Sequence, residues 1–329
     1  MKKIFITGGG GYIGSRLVPY FLKKNFKVTV YDTFYFGNVL KKNKNLKVIK
    51  GDIRDIKKVS KHCKNHEIFL HLACISNDTS FELDTKLSKS INYDAFEPMV
   101  IAAKKLKIKR FIYASSSSVY GISKKKNVRE DHKLLPLTLY NKYKGMCEPQ
   151  LFKHTTNKFE GVIFRPATVC GYSPKMRLDL SVNILTNFAY NKKFIKVFGG
   201  KQLRPNLHIL DYCDAVLKLI RAPSNKIQNQ IFNVGNQNMS INRIANLVKK
   251  TLEKKMKEKI KIIRTKSNDL RSYHINSDKI AREIGFVPKK NIEHAVIEIY
   301  KAFKGKKITN SFSNLNYYNV EKLKKLKVK

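Results

Sequence analysis

The sequence predicts an α/β protein: a doubly wound parallel sheet followed by a smaller, mixed C-terminal lobe. Three observations carry this. Short apolar runs alternate with helically spaced ones up to about residue 115. The first run stops in a cluster of glycines, and a helical pattern follows at once. The segments between runs are long enough to be the crossovers that parallel strands require.

Taken in order, residues 3–7 form a strand closed by glycines, and residues 12–24 a helix with Ile13, Leu17, Phe21 and Leu22 on one face. Residues 27–31 and 46–49 are the next strands, with Asp32 ending the first of them. Two more β-rich runs cover 67–72 and 110–114. Between them lies one long helical stretch, 86–106, which Pro98 should kink or break. Residues 140–153 read as a helix with a second kink at Pro149, and 161–164 as a strand before the irregular stretch 165–180. Residues 209–220 look like a strand running into a helix, and 241–252 like a helix capped by Ser240. Residues 231–234 and 260–263 are expected as short strands of the smaller lobe. Residues 291–303 close the series as an amphipathic helix. No period of about 20–50 residues repeats.

The chain has 329 residues and a net charge of +43, with 55 lysines against 12 arginines. A basic surface attracts nucleic acid and anionic membranes. Here the lysines are spread over every segment, with clusters at 41–44, 124–126, 254–261 and 322–329, and arginine, the better bidentate reader, is scarce. No specific nucleic-acid partner is therefore expected. No run of eighteen apolar residues exists, and the opening apolar run ends at Thr7, short of the ~7–15 residues of a signal core. A soluble, cytoplasmic protein is expected, with no membrane partner. Five cysteines without CxxC spacing and eight histidines without metal spacing point to free thiols and no metal.

Two constellations carry chemistry. Gly8, Gly11 and Gly14 stand at GxxGxxG spacing between the first strand and the first helix, where backbone N–H groups can approach a pyrophosphate. Asp32 ends the second strand; a carboxylate there accepts both hydroxyls of an adenosine ribose and repels a 2′-phosphate, which favours NAD over NADP. Downstream, Tyr140 and Lys144 lie one helical turn apart, with Ser116 in a serine run before them. A lysine ammonium beside a phenol stabilises phenolate, and a serine can share the substrate's proton. This suits proton transfer at a carbinol whose hydride leaves to nicotinamide.

These residues sit among further motifs: Thr7-Gly-Gly-Gly-Gly-Tyr-Ile-Gly14, Gly51-Asp-Ile-Arg-Asp55, His71-Leu-Ala-Cys-Ile-Ser-Asn77, Asn92, Ser115-Ser-Ser-Ser-Val-Tyr-Gly121, Tyr140-Asn-Lys-Tyr-Lys144, Arg165-Pro-Ala-Thr-Val-Cys-Gly171, Arg204 to Asp211, and Asp269-Leu-Arg271 through Gly285-Phe-Val-Pro288. In this order, over residues 1 to about 303, the chain resembles the extended short-chain dehydrogenases/reductases of the NAD-dependent epimerase/dehydratase group, which act on nucleotide-sugars. The resemblance implies a Rossmann NAD-binding domain over 1–165, joined by segments around 200–235. It implies a nucleotide-sugar-binding lobe mainly over 166–303, and a basic tail over 304–329. It gives Tyr12, Ile13, Ser115 and Pro166 to the cofactor site, Asp52 and Ile53 to the adenine, Ala73 and Asn92 to the cofactor groove, and the nicotinamide ribose to Lys144. Ser116 falls in the place of the catalytic serine or threonine. Asn183, Arg204 and Arg271 resemble contacts to the sugar-nucleotide diphosphate, and Lys196, Val197 and Phe198 fall where the base is cradled. Dimers of this family form through two long helices, here 86–106 and 140–153, so a homodimer is expected.

Departures narrow the reaction. The 4,6-dehydratases of the family place Asp-Glu where Ser117 and Ser118 stand, which disfavours dehydration. The 3,5-epimerase/reductases resembling GDP-fucose synthase use a cysteine at the place of Ser118, which disfavours that chemistry too. UDP-galactose 4-epimerases usually carry asparagine in place of Thr168. The segment 173–183 matches a lineage common in surface-polysaccharide clusters. The resulting expectation is a nucleotide-sugar epimerase acting at C4 through a transient 4-keto sugar. The alternatives are a 4-dehydrogenase or reductase on the same fold and, from another class, a non-catalytic NAD sensor or nucleic-acid-associated protein.

Overall fold

The computed structural model describes residues 1–123, 125, 127–266, 272 and 274–326. Asp269, Arg271 and parts of two lysine clusters lie outside the described residues. In chain order the strands are β1 Lys3–Thr7, β2 Lys27–Asp32, β3 Leu46–Lys50, β4 Ile68–His71, β5 Arg110–Ala114, β6 Glu160–Pro166, β7 Thr168–Cys170, β8 Phe194–Phe198, β9 Leu203–His208, β10 Gln230–Val234, β11 Gln237–Ser240 and β12 Lys261–Thr265. The helices are α1 Gly14–Lys23, α2 Ile56–Cys63, α3 Asp78–Phe81, α4 Thr85–Lys89, α5 Phe96–Lys105, α6 Leu139–Lys153, α7 Ser181–Lys192, α8 Ile209–Arg221, α9 Ser224–Ile227, α10 Ile241–Met256, α11 Asp278–Ile284, α12 Ile292–Lys304 and α13 Asn319–Leu326.

Seven strands make one parallel sheet in the order β10-β6-β5-β4-β1-β2-β3. Side chains alternate between its faces with period two. Ile4, Ile6, Val28, Val30, Leu70 and Ile112 pack on one side with α1 and α8. Phe5, Tyr31, Phe69, Phe111 and Tyr113 pack on the other with α2, α5 and α6. Both faces of the central strands β1, β4 and β5 are buried, which is why their interior positions are apolar in succession rather than alternately. The Phe69 and Phe111 rings stack at 4.7 Å.

The chain winds outward from β1 to β3, then returns to β4 and winds the other way. The direction reverses between β1 and β4, the place where an open α/β sheet leaves a crevice at the carboxyl ends of its strands. There Thr7 Oγ1 and His71 Nδ1 meet at 2.7 Å.

Two expectations are corrected. Residues 231–234 do not belong to the smaller lobe: β10 is the edge strand of the main sheet, paired with β6 from Gln230↔Val162 to Val234↔Pro166. The expected long helix over 86–106 is α4, a π turn Ser90–Asp94 and α5. The irregularity ends at Asp94 and Ala95, where Pro98, four residues after Asp94, cannot donate the helical bond to the Asp94 carbonyl, as expected of a proline there. Pro149 does not end α6.

The second lobe contains the sheet β11-β9-β7 and the parallel pair β8–β12, with α7, α10 and α12 packed around a separate apolar cluster. Residues after α12 fold back over this lobe. Ile308 is buried, Phe312 meets Phe188 at 5.0 Å, and Leu178 donates its N–H to Tyr317 O at 2.9 Å. This return brings α13 against α3.

Candidate active site

A cavity of about 950 Å³ opens at the carboxyl ends of the sheet and extends into the second lobe. At one end lies the glycine loop. Gly8 adopts φ +77°, and a Cβ there would fall 2.5 Å from the Ala73 backbone nitrogen. A Cβ on Gly14 would fall 2.4 Å from Gly9 Cα and lift α1 off the loop. Gly14 thus serves packing and does not line the cavity, whereas Gly8, Gly11, Tyr12 and Ile13 do. The helix α1 begins here, so the positive end of its dipole faces the cavity.

Asp32 sits beside this loop. Its Oδ2 accepts the Gly10 N–H at 2.8 Å and its Oδ1 the Phe34 N–H at 2.7 Å. Burial pushes its pKa up, while these backbone donors and the Lys175 charge oppose that rise. Each oxygen keeps further lone-pair capacity for a ribose hydroxyl. Asp52, paired with Arg54 at 2.7 Å, and buried Ile53 line the same end, and Ala73 lines the wall. Asn92 does not reach the cavity. Its amide bonds both backbone groups of Ile75, at 2.8 and 2.9 Å, and so holds the loop after β4.

At the other end of the crevice β5 stops at Ala114 and the serine run follows. Buried Ser115 donates to Glu148 Oε1 at 2.7 Å, and Arg165 grips the same carboxylate at 2.9 and 2.5 Å. This pair ties α6 to β6. The Ser118 hydroxyl donates to Asn141 Oδ1 on α6. A hydroxyl has one proton to give, so the 2.7 Å bond between Ser116 and Ser118 is donated by Ser116. Ser116 also accepts the Ser118 N–H at 3.2 Å.

Thr138 caps α6, whose first two turns carry Tyr140 and Lys144 into the cavity on one face. The Lys144 ammonium is buried, donates to Ala114 O at 2.7 Å and lies 4.9 Å over the Tyr113 ring. Tyr143 turns elsewhere, stacked on Phe81 and close to Tyr93. Ser115, Ser116 and Pro166 complete this wall.

In the second lobe Lys196, Phe198 and Arg204 line the cavity, and Phe198 is 53% exposed. Asn183 and Val197 are fully buried and turned from it. Asn183 accepts the Gly171 N–H at 3.1 Å and donates to Tyr12 OH and Arg177 O, joining the two lobes. Arg271 lies outside the described residues.

The structure also brings in residues that sequence reasoning missed. Gly10, Phe36, Lys175, Arg177, Asp179 and Asn319 all line the cavity. Arg177 grips Asp179 with two bonds of 2.9 Å and donates to Ser76 Oγ at 3.1 Å. Burial pushes Asp179 up, but the Arg177 guanidinium outweighs it and holds the carboxyl below its usual range. The 173–183 run was the available signal for Lys175 and Arg177. Nothing local marks Asn319.

The donor set suits NAD: glycine N–H groups at a helix N-terminus, a carboxylate beside them with room for ribose hydroxyls, and a Tyr–Lys pair at the far end. The comparisons agree with that fit. The family model described as the NAD dependent epimerase/dehydratase family matches residues 4–235. The UDP-N-acetyl-α-D-glucosaminuronate decarboxylase of Bacillus cytotoxicus is 28% identical over 258 residues, 74% of this chain and 78% of that protein. The human dTDP-D-glucose 4,6-dehydratase is 27% identical over 309 residues, 88% of this chain and 86% of that protein. Among solved structures, the UDP-glucuronic acid 4-epimerase of Bacillus cereus, crystallised with UDP-glucuronic acid and NAD, superposes with a TM-score of 0.81 at 27% identity, covering 92% of this chain and 99% of that one. Fold, site and family match agree, and the chain belongs to the NAD-dependent epimerase/dehydratase family, whose cofactor is NAD.

Proposed function

We propose that this enzyme is a nucleotide-sugar epimerase acting at C4 through a transient 4-keto sugar, in the biosynthesis of surface-polysaccharide sugars. The observation that carries this reading is the Ser116–Ser118–Asn141 chain beside Tyr140 and Lys144. The places where a 4,6-dehydratase needs a carboxylate pair hold Ser117 and Ser118, the latter spent on Asn141. Among the described residues, the other carboxylates that line the cavity are engaged elsewhere. Asp179 is bound by Arg177, Asp78 accepts from Thr138, and Asp32 and Asp52 lie at the glycine-loop end.

NAD supplies a reversible hydride acceptor. Tyr140 takes the 4-OH proton as phenolate and returns it after the sugar has turned over. A phenol's reference pKa is ~10, and the nearby Lys144 ammonium stabilises its anion. Ala114 O fixes that ammonium with one of its three N–H groups, leaving two for the tyrosine and a ribose. Ser116 reorients its proton from Ser118 toward O4 when substrate binds. Lys196, Phe198 and Arg204 hold the nucleotide while the hexose rotates. Arg204 suits phosphate, which a guanidinium binds bidentately.

Exposed Leu139 and Met146 on α6, with Leu135 and Leu137 before it, support pairing of two copies along the helical stretches 86–106 and 140–153. The five cysteines are free thiols, which supports a reducing, cytoplasmic setting.

The test is incubation with UDP-, GDP-, CDP- and dTDP-hexoses, with products resolved by NMR. C4 interconversion without net NADH change supports the proposal. A stoichiometric NADH change would instead make the enzyme a 4-dehydrogenase or reductase, and loss of water or carbon dioxide would rule epimerisation out.

A further inference from the structure

The segment from Ser173 to Asp179 crosses from β7 over the start of α1. Ser173 Oγ donates to Tyr12 O at 2.7 Å, and the Lys175 N–H donates to Ser15 Oγ at 3.1 Å. The segment is therefore clamped beside the glycine loop, at the turn where a dinucleotide's diphosphate meets the helix N-terminus. The Lys175 side chain is 4% exposed, yet it lines the same cavity as Gly10, Gly11 and Asp32.

Its ammonium donates to Asn319 Oδ1 at 3.1 Å and lies 4.1 Å from the Phe36 ring centroid. Asn319, the first residue of α13, is itself held: its N–H donates to Asp179 Oδ2 at 3.3 Å and its Nδ2 to Ser76 Oγ at 3.0 Å. The charge thus rests on a neutral amide and an aromatic face. A buried ammonium without an ion pair is unfavourable unless a ligand compensates it. Among the described residues neither nearby carboxylate pairs with it: Asp179 is held by Arg177, and Asp32 turns to the backbone of Gly10 and Phe34. Lys175 has three donors, and Asn319 uses one.

We propose that Lys175 is a cofactor-binding residue, whose ammonium, aimed by Asn319, makes a charge-assisted hydrogen bond to the diphosphate of NAD. The C-terminal return thereby contributes to the cofactor site, and the contact belongs to cofactor binding whatever reaction follows.

Among the described residues, the charged groups facing Lys175 are Asp32 from β2 and Arg177 and Asp179 from its own segment; α13 presents the neutral Asn319 and α1 the hydroxyl of Ser15. Burial and Arg177 push its pKa down, against Asp179 and Asp32, to about 7. A diphosphate arriving beside it favours the charged form. Binding at about pH 8 therefore takes up protons.

Calorimetric titration of the full chain with ADP-ribose and with adenosine, in two buffers of different ionisation enthalpy, tests this. Lys175→Met should weaken ADP-ribose about tenfold or more, the scale of a charged hydrogen bond, and abolish the proton uptake. Adenosine, which has no diphosphate, should bind equally well to both. Lys175→Arg should retain ADP-ribose binding without proton uptake, because a guanidinium stays charged. Asn319→Ala should weaken ADP-ribose and leave adenosine unchanged. Wild-type ADP-ribose affinity in Lys175→Met, an equal loss of adenosine, or proton uptake persisting in Lys175→Arg would each overturn the proposal. If Lys175→Met does not fold, Asn319→Ala against wild type, titrated with ADP-ribose and with adenosine, decides.

Discussion

The carboxylate of Asp32 accepts the backbone N–H of Gly10 at 2.8 Å, so the end of the second strand and the glycine loop form one rigid unit. A side chain on Gly10 would run into the Phe34 ring at 2.6 Å. Asp32→Ala should therefore weaken NAD by roughly 1–3 kcal/mol, the scale of a lost charge-assisted hydrogen bond. Calorimetry with NAD and NADP checks this, and tighter binding of NADP by the wild type would refute the assignment.

Tyr140→Phe keeps the ring and its packing but removes the proton site. Turnover on the true substrate should fall ~10²–10⁴-fold while NAD affinity holds. Lys144→Ala should harm both, since the proposed mechanism gives its ammonium to phenol and ribose. Tyr143→Phe is the control, because that ring stacks on Phe81 outside the cavity. Wild-type turnover in Tyr140→Phe with loss in Tyr143→Phe would move the acid/base elsewhere.

Glu148 accepts from Ser115 and from Arg165 in a buried cluster. Glu148→Ala strands the guanidinium and should destabilise the fold by about 3–5 kcal/mol, the scale for breaking a buried pair. Urea unfolding measures this; a loss well under 1 kcal/mol would mean that water replaces the carboxylate.

His71 is buried against Thr7, and burial, then the Lys144 charge, pushes its pKa down to about 3. The unfolded ring titrates near ~6.5, so the unfolded chain binds this proton first as pH falls. Stability from neutral His71 is full above that value and is lost as pH drops toward the folded pKa, by up to about 1.4 kcal/mol per unit. His71→Gln should flatten this slope in unfolding midpoints taken from pH 7 to 5.

Net charge alone should give weak, sequence-blind DNA binding that falls steeply with salt. A specific complex surviving about 200 mM salt would contradict that expectation.

The glycine turn and the Tyr–Lys helical turn that line the cavity were legible because each is local. A glycine turn between strand and helix, an aspartate at a strand end and a YxxxK turn depend on backbone geometry within a few residues. The sequence by itself determined the parallel α/β class in the same way, through apolar runs buried on both faces. Only the tertiary structure decided the rest. The strand Gln230–Val234 joins the main sheet because a sheet edge is completed by whichever segment reaches it, and β6 offers its edge to residues far along the chain. Asn183 and Val197 turn inward and Lys196 and Phe198 face the cavity because side-chain direction follows the packing of the second lobe. Lys175 is one of 55 lysines, and the 173–183 run that holds it does not set it apart from its neighbours. It is distinguished by Ser15 and Asn319, partners 160 and 144 residues away, whose contacts exist only once the chain has closed on itself.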